Sequence, residues 1–129
     1  MIDHVSLGVK SLAASHAFYD AVLAPLGYSK LIVHEATTGY GKTYPEFWLN
    51  LRENRVPARD NGTHVCLRAR DQATVDAFYA AALKAGAEDA GSPGFRPEYH
   101  PSYYAAFIVD LDQNVVEVVT FVREGGHAD

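Results

Sequence analysis

The sequence predicts an α+β fold made of two copies of one βαβββ module, the first near residues 1–58 and the second at 62–122. Two observations carry this reading. A shift of 60 residues aligns 4–23 with 64–83 without a gap, and nine of those twenty positions are identical, among them His4/His64, Leu7/Leu67, Phe18/Phe78 and Tyr19/Tyr79. Unrelated segments of ordinary composition would share about one, so the chain is internally duplicated. In both copies, moreover, a period-two apolar pattern gives way to a helical one.

The first strand of each copy is read from alternation. Val5, Leu7 and Val9 share one face, as do Val65, Leu67 and Ala69. His4, Ser6 and Gly8 take the opposite face in one copy, and His64, Cys66 and Arg68 in the other. A helix follows each strand, with Ser11 and Asp71 as N-caps and stripes of Leu12, Phe18, Val22 and of Val75, Phe78, Ala82. Pro25 and Gly27 close the first helix and Gly86 the second. The apolar strand face must pack on the helix, so both histidines are expected to point away from it. Three more strands complete each copy: 28–35, 38–43 and 46–52, then 88–92, 103–109 and 115–122. The last two strands are joined by the turn-forming run Asp110-Leu111-Asp112-Gln113-Asn114. Residues 94–101 are expected to form a loop at a pocket rim, and 123–129 a frayed tail.

Composition narrows the function. The 129 residues suit one domain, and 48% hydrophobic with 21% charged residues is ordinary for a globular protein. A net charge of −5 without a basic block argues against nucleic acid as the partner. No apolar run is long enough for a membrane span or a signal peptide, and one cysteine, Cys66, points to a reducing cytoplasm. Cys66 itself reads as a small buried residue.

Glu117 is the most informative residue. It interrupts the apolar run Val115-Val116-Glu117-Val118-Val119, which should be a buried central strand. A buried carboxylate is normally paired or bound to a metal; an ion pair with Arg68 or Lys84 is the plain alternative. Duplication offers two partners, His4 and His64, at equivalent positions. Two histidines and one carboxylate form the set used for non-haem Fe(II) and for catalytic Zn(II). Mn and Ni are equally open. Arg96 suits an anionic group of a ligand. Tyr99, His100, Tyr103 and Tyr104 cluster where the loop enters a strand, and His100 or Tyr103 can move a proton. Tyr40, Tyr44 and Trp48 are candidate aromatic walls, although core packing explains Trp48 as well. His16, His34 and His127 have no evident partner and read as surface residues.

The His-Val-x-Leu openings, the Ala-Phe-Tyr helices and Asp-Leu-Asp-Gln-Asn-Val-Val-Glu-Val-Val at 110–119 resemble the vicinal oxygen chelate superfamily. Glyoxalase I, extradiol dioxygenases, and fosfomycin- and bleomycin-resistance proteins belong to it. The resemblance runs to about Val122. It implies paired βαβββ modules forming a curled mixed sheet around a cleft, with His4, His64 and Glu117 at the metal-ligand positions. The fourth position falls near Trp48 or Leu49, with Glu46 too early, which departs from glyoxalase I and leaves three ligands. The resemblance therefore favours a metal-dependent enzyme, a lyase, isomerase or extradiol-type dioxygenase, that chelates two oxygens of a small substrate. The alternative is a metal-free protein that sequesters an antibiotic or toxin. It also implies a homodimer, with the site formed within one chain or, by module exchange, between two.

Overall fold

The computed structural model describes residues 1–122; the tail at 123–129, with His127, lies outside the described residues. The first module runs β1 (Val5–Val9), α1 (Leu12–Leu23), a 3-10 turn (Ala24–Leu26), β2 (Ser29–Val33), β3 (Thr37–Gly41) and β4 (Pro45–Leu51). The second runs β5 (Val65–Arg68), α2 (Gln72–Lys84), β6 (Glu88–Phe95), β7 (Tyr103–Val109) and β8 (Val115–Phe121). Each module is therefore βαβββ. The strands form two four-stranded mixed sheets, ordered β1-β4-β3-β2 and β5-β8-β7-β6. Among the described residues, the parallel pairs are β1 with β4 and β5 with β8, because a helix separates β1 and β5 from the strands that follow.

Both helices start where a side chain can take an orphan N–H. Ser11 Oγ accepts from Ala14 N at 3.3 Å, and Asp71 Oδ1 from Thr74 N at 2.8 Å. The first helix tightens into the 3-10 turn and ends on Gly27, whose φ of 81° belongs to the left-handed region. Each helix packs on its own sheet and against the other helix, so one core runs through both modules. Phe18, Tyr19, Phe47, Phe78 and Ile108 are buried in it. Burying each such side chain contributes about 1.5–3 kcal/mol.

One strand is longer than the sequence pattern suggests. β6 continues through Gly94 and Phe95, which the sequence assigns to the loop. Its register slips twice, between Asp89 and Gly91 and between Gly91 and Gly94, so no alternation survives to mark it. Arg96 holds the irregular edge, donating to the carbonyls of Ser92 and Gly94 at 2.9 Å each.

The β7–β8 turn docks on the other module. Asp110 Oδ2 accepts the Tyr19 hydroxyl of α1 at 2.5 Å, Asp112 Oδ1 accepts Lys10 N, and Asn114 Nδ2 donates to Gly8 O. Burial raises the Asp110 carboxyl above the ordinary aspartate value, while its hydrogen bonds from Tyr19 and Asn114 pull it back. Tyr19→Phe removes one of those bonds. It should cost about 1–3 kcal/mol in urea denaturation and move the Asp110 titration, followed by carboxyl NMR, further upward. A carboxyl raised on folding binds its proton more readily in the native state. The deficit of the variant should therefore shrink as pH falls from the variant's Asp110 value to the lower wild-type one.

Candidate metal centre

Pairing in register shows which residues of the two modules correspond. Cys66 of β5 lies opposite Glu117 of β8, and its repeat mate Ser6 lies opposite Trp48 of β4. Trp48 thus stands where Glu117 stands in the second module, and the first module has no carboxylate at that place. Across the hairpins, Phe107 opposes Glu117 whereas Gly39 opposes Trp48. A Cβ on Gly39 would come within 3.0 Å of the indole, so the glycine lets Trp48 lie close over β3. Trp48 is half-buried beside the His4 ring, 6.4 Å between centroids, and is not a core residue.

Glu117 is only 3% exposed. Its two oxygens have separate partners: His64 Nε2 donates to Oε1 at 3.0 Å, and the Tyr103 hydroxyl to Oε2 at 2.5 Å. The ion pair with Arg68 or Lys84 is therefore not what holds it; the Arg68 guanidinium lies over the Phe121 ring, 4.8 Å from its centroid. His64, Glu117, Tyr99, Tyr103 and Phe107 line one pocket of about 280 Å3. Desolvation and the neighbouring carboxylate push the Tyr103 phenol well above its ordinary value. Cys66, expected to be buried, is an exposed residue. Its thiol is nonetheless shielded locally and lies against Glu117, which together push it up to about 12.

The other residues singled out in the sequence fall in different places. His4 does not join His64 and Glu117. Its Nδ1 is 2.7 Å from Asp3 Oδ2, and it faces a second groove lined in part by Asp3, Tyr28, Glu46 and Val65. That contact and the Tyr44 hydroxyl hold the Asp3 carboxyl below the usual range. Among the described residues of one chain, no three His, Cys, Asp or Glu side chains are placed to hold a metal. Tyr40 is no pocket wall: it is buried on the core side of β3 with its hydroxyl on Asp20 Oδ1 at 2.9 Å. Arg96 is turned onto its own strand edge and over Phe107. His100 accepts from Ser102 N at 3.0 Å and packs edge-on against Phe121, outside the pocket. Tyr44 is exposed, and Tyr104 donates to Asp76. His34 is exposed as expected, but His16 is not a free surface residue, since its Nε2 shares a 2.7 Å hydrogen bond with Thr38 Oγ1.

Sequence reasoning missed Phe107 and Cys66 as neighbours of Glu117. The available signal was register: both sit opposite Glu117, one on each flanking strand. Tyr103, by contrast, is two residues further along the same face of β7 than Ala105, which places its ring within reach of the carboxylate.

Solved structures place this architecture. A glyoxalase/bleomycin resistance protein from Albidiferax ferrireducens T118 is 30% identical, with a TM-score of 0.78 over 91% of this chain and 95% of that one. A glyoxalase-related enzyme from Fulvimarina pelagi is 16% identical, with a TM-score of 0.74 over 100% of this chain and 96% of its own. A mutant of FosX, a genomically encoded fosfomycin resistance protein from Listeria monocytogenes, was solved with Mn(II) and 1S,2S-dihydroxypropylphosphonic acid. It is 15% identical, with a TM-score of 0.66 over 92% of this chain and 87% of that one. No protein-family model matches the chain, and no curated protein does. The paired βαβββ modules and these likenesses define a protein of the vicinal oxygen chelate superfamily. Within it, the chain belongs to the glyoxalase/bleomycin resistance protein family.

The Tyr103–Glu117 contact is directly testable. Tyr103→Phe leaves a buried carboxylate oxygen without its donor and should lower stability by about 1–3 kcal/mol in urea denaturation. A loss below about 0.5 kcal/mol, the scatter of surface substitutions, would mean that the hydrogen bond is not formed in solution.

Proposed function

We propose that the protein is a metal-dependent enzyme that binds a small molecule through two neighbouring oxygens, with chemistry in the lyase, isomerase or dioxygenase range. The observation that carries the reading is Glu117, a buried carboxylate held by an imidazole and a phenol. Such a pair suits an exchangeable cation better than a permanent structural role, because a carboxylate buried only for stability costs more than an apolar side chain would. The donor set fits a divalent ion of the Fe, Mn, Ni or Zn type in part: one chain supplies His64 and Glu117. We assign the third position to His4 of a second copy in a homodimer with exchanged modules. β1 and β5 support this, since each is an edge strand with one side unpaired.

When bound, the ion supplies Lewis-acid charge to the substrate oxygens. Tyr103 orients the Glu117 carboxylate, and Tyr99 and Phe107 wall the pocket beside it. The second copy would lay Trp48 opposite them. His100 stands at the rim, away from the carboxylate. A single cysteine beside the site accords with a reducing compartment such as the cytoplasm.

A second reading has its own support. His4 is engaged by Asp3, and the pocket beside Glu117 is walled by aromatic rings, as a metal-free binding protein for an apolar molecule would need. Metal analysis of untagged protein separates the two. The enzyme reading expects about one divalent ion per chain, lost in both His4→Ala and His64→Ala with the fold intact. Wild-type protein that stays metal-free when offered Fe, Mn, Ni and Zn would favour the binding protein. Glu117→Gln should weaken metal retention about tenfold or more while changing apo stability less. Module exchange has a separate signature. Mixed dimers of His4→Ala and His64→Ala subunits contain one intact site if the ligands come from two chains, and none if they come from one. Recovery of one ion per mixed dimer is expected.

A further inference from the structure

Because the modules repeat, the two junctions between them should be alike, and they are not. At the first junction the turn 110–114 reaches the start of α1. There Asp112 Oδ1 accepts the Lys10 N–H at 3.0 Å, and Oδ2 accepts the Ser15 hydroxyl at 3.4 Å. Arg55 Nη2 lies 3.4 Å from the same carboxylate. The 60-residue shift maps Lys10 onto Arg70, and the β7–β8 turn corresponds to the β3–β4 turn at 42–44. That second turn is three residues long instead of five, and it carries Lys42 where the first carries carboxylates. It falls short of α2. The space left over is a cavity of about 500 Å3 lined by Lys42, Arg68, Arg70, Thr74 and residues 24–27.

The charges around this cavity are largely of one sign, in a chain whose net charge is −5. Lys42 makes no ion pair or hydrogen bond with another described residue. Arg70 is loosely paired with Asp71 at 3.5 Å, and Asp71 is already occupied in capping α2 through Thr74. Glu46 lies in the adjoining groove, not in the cavity lining. We propose that the cavity binds a small carboxylate-bearing molecule, which takes the place that the Asp112 side chain fills at the other junction. The carboxylate would sit between the Lys42 ammonium and the Arg70 main chain and guanidinium, where charge-assisted bonds are available. Its volume falls within the ordinary range of small-molecule sites, about 300–1,000 Å3. Neither His64 nor Glu117 lines it, so the inference stands apart from the metal reading.

The probe is succinate, titrated into isotope-labelled protein at constant ionic strength, with acetamide as the uncharged control. Saturable amide shifts are expected at Gly27, Lys42 and Arg70, with none for acetamide. Lys42→Met should weaken succinate binding about fivefold or more, as loss of one charge-assisted contact does, and leave the rest of the spectrum in place. Shifts that do not saturate, that acetamide reproduces, or that survive Lys42→Met would overturn the proposal.

Discussion

Asp110, at the end of β7, accepts from the Tyr19 hydroxyl, from the Asn114 side chain, and from the main chains of Asp112 and Asn114. This turn fixes the register of the modules, alongside the core shared by the two helices. Its five residues bend tightly through Gln113, at a φ of 68°, so that Asp112 and Asn114 both turn inward to the first module. Three buried polar side chains would be a liability without partners. Here the partners are main-chain groups, the Tyr19 and Ser15 hydroxyls, the Asn114 amide and the Arg55 guanidinium, so their desolvation is offset bond by bond. The consequence for the site is indirect but strong. With the helices facing inward and this turn held against Gly8 and Lys10, the sheet faces that carry His64, Glu117 and Trp48 point away from the helices.

Duplication then creates equivalent places, and divergence decides what each does. Glu117 and Trp48 occupy the same place in their modules, as do Phe107 and Gly39. In one module the carboxylate is walled by a large ring. In the other the large ring is the site residue itself, and the strand beside it gives way. Exchange of modules between two chains would bring one surface of each kind together, a charged donor pair against an indole. The same divergence acts at the junctions, where turn length and the exchange of a carboxylate for Lys42 separate a filled contact from a cavity.

Much of the fold was legible because the duplication doubles every local signal. The two helices, their caps at Ser11 and Asp71, and the strands at 103–109 and 115–122 follow from apolar spacing that tertiary packing then reinforces. β6 was legible only in part. Its two bulges break the alternation, and an arginine clamp, which has no sequence periodicity, holds it instead. Of the site, Glu117 announced itself, since a lone acid in an apolar strand carries its own explanation as a demand for partners. The identity of those partners was harder. His64 adjoins the carboxylate and His4 does not, although the two are repeat mates, because internal symmetry relates their surroundings without placing them side by side. Tyr40 shows the limit of counting aromatics: facing inward or outward is a matter of strand parity, and β3 follows a register shift that hides it.

The physical question left by Glu117 is why a carboxylate so deeply buried has a phenol, a thiol and a half-exposed imidazole beside it rather than a fixed cation. If stability alone had shaped β8, an apolar residue at 117 would complete the run of valines around it at lower cost. A fixed arginine partner would neutralise the charge but would also close the position to anything else. An imidazole is different, because in its neutral form it leaves the carboxylate's charge uncompensated while remaining a donor to the same point in space. The arrangement thus holds a negative charge in readiness within a low-dielectric wall of Phe107 and Tyr103. On the proposed reading, such a charge would gain most from a cation that arrives and leaves, and that gain is what binding could put to use in orienting a ligand.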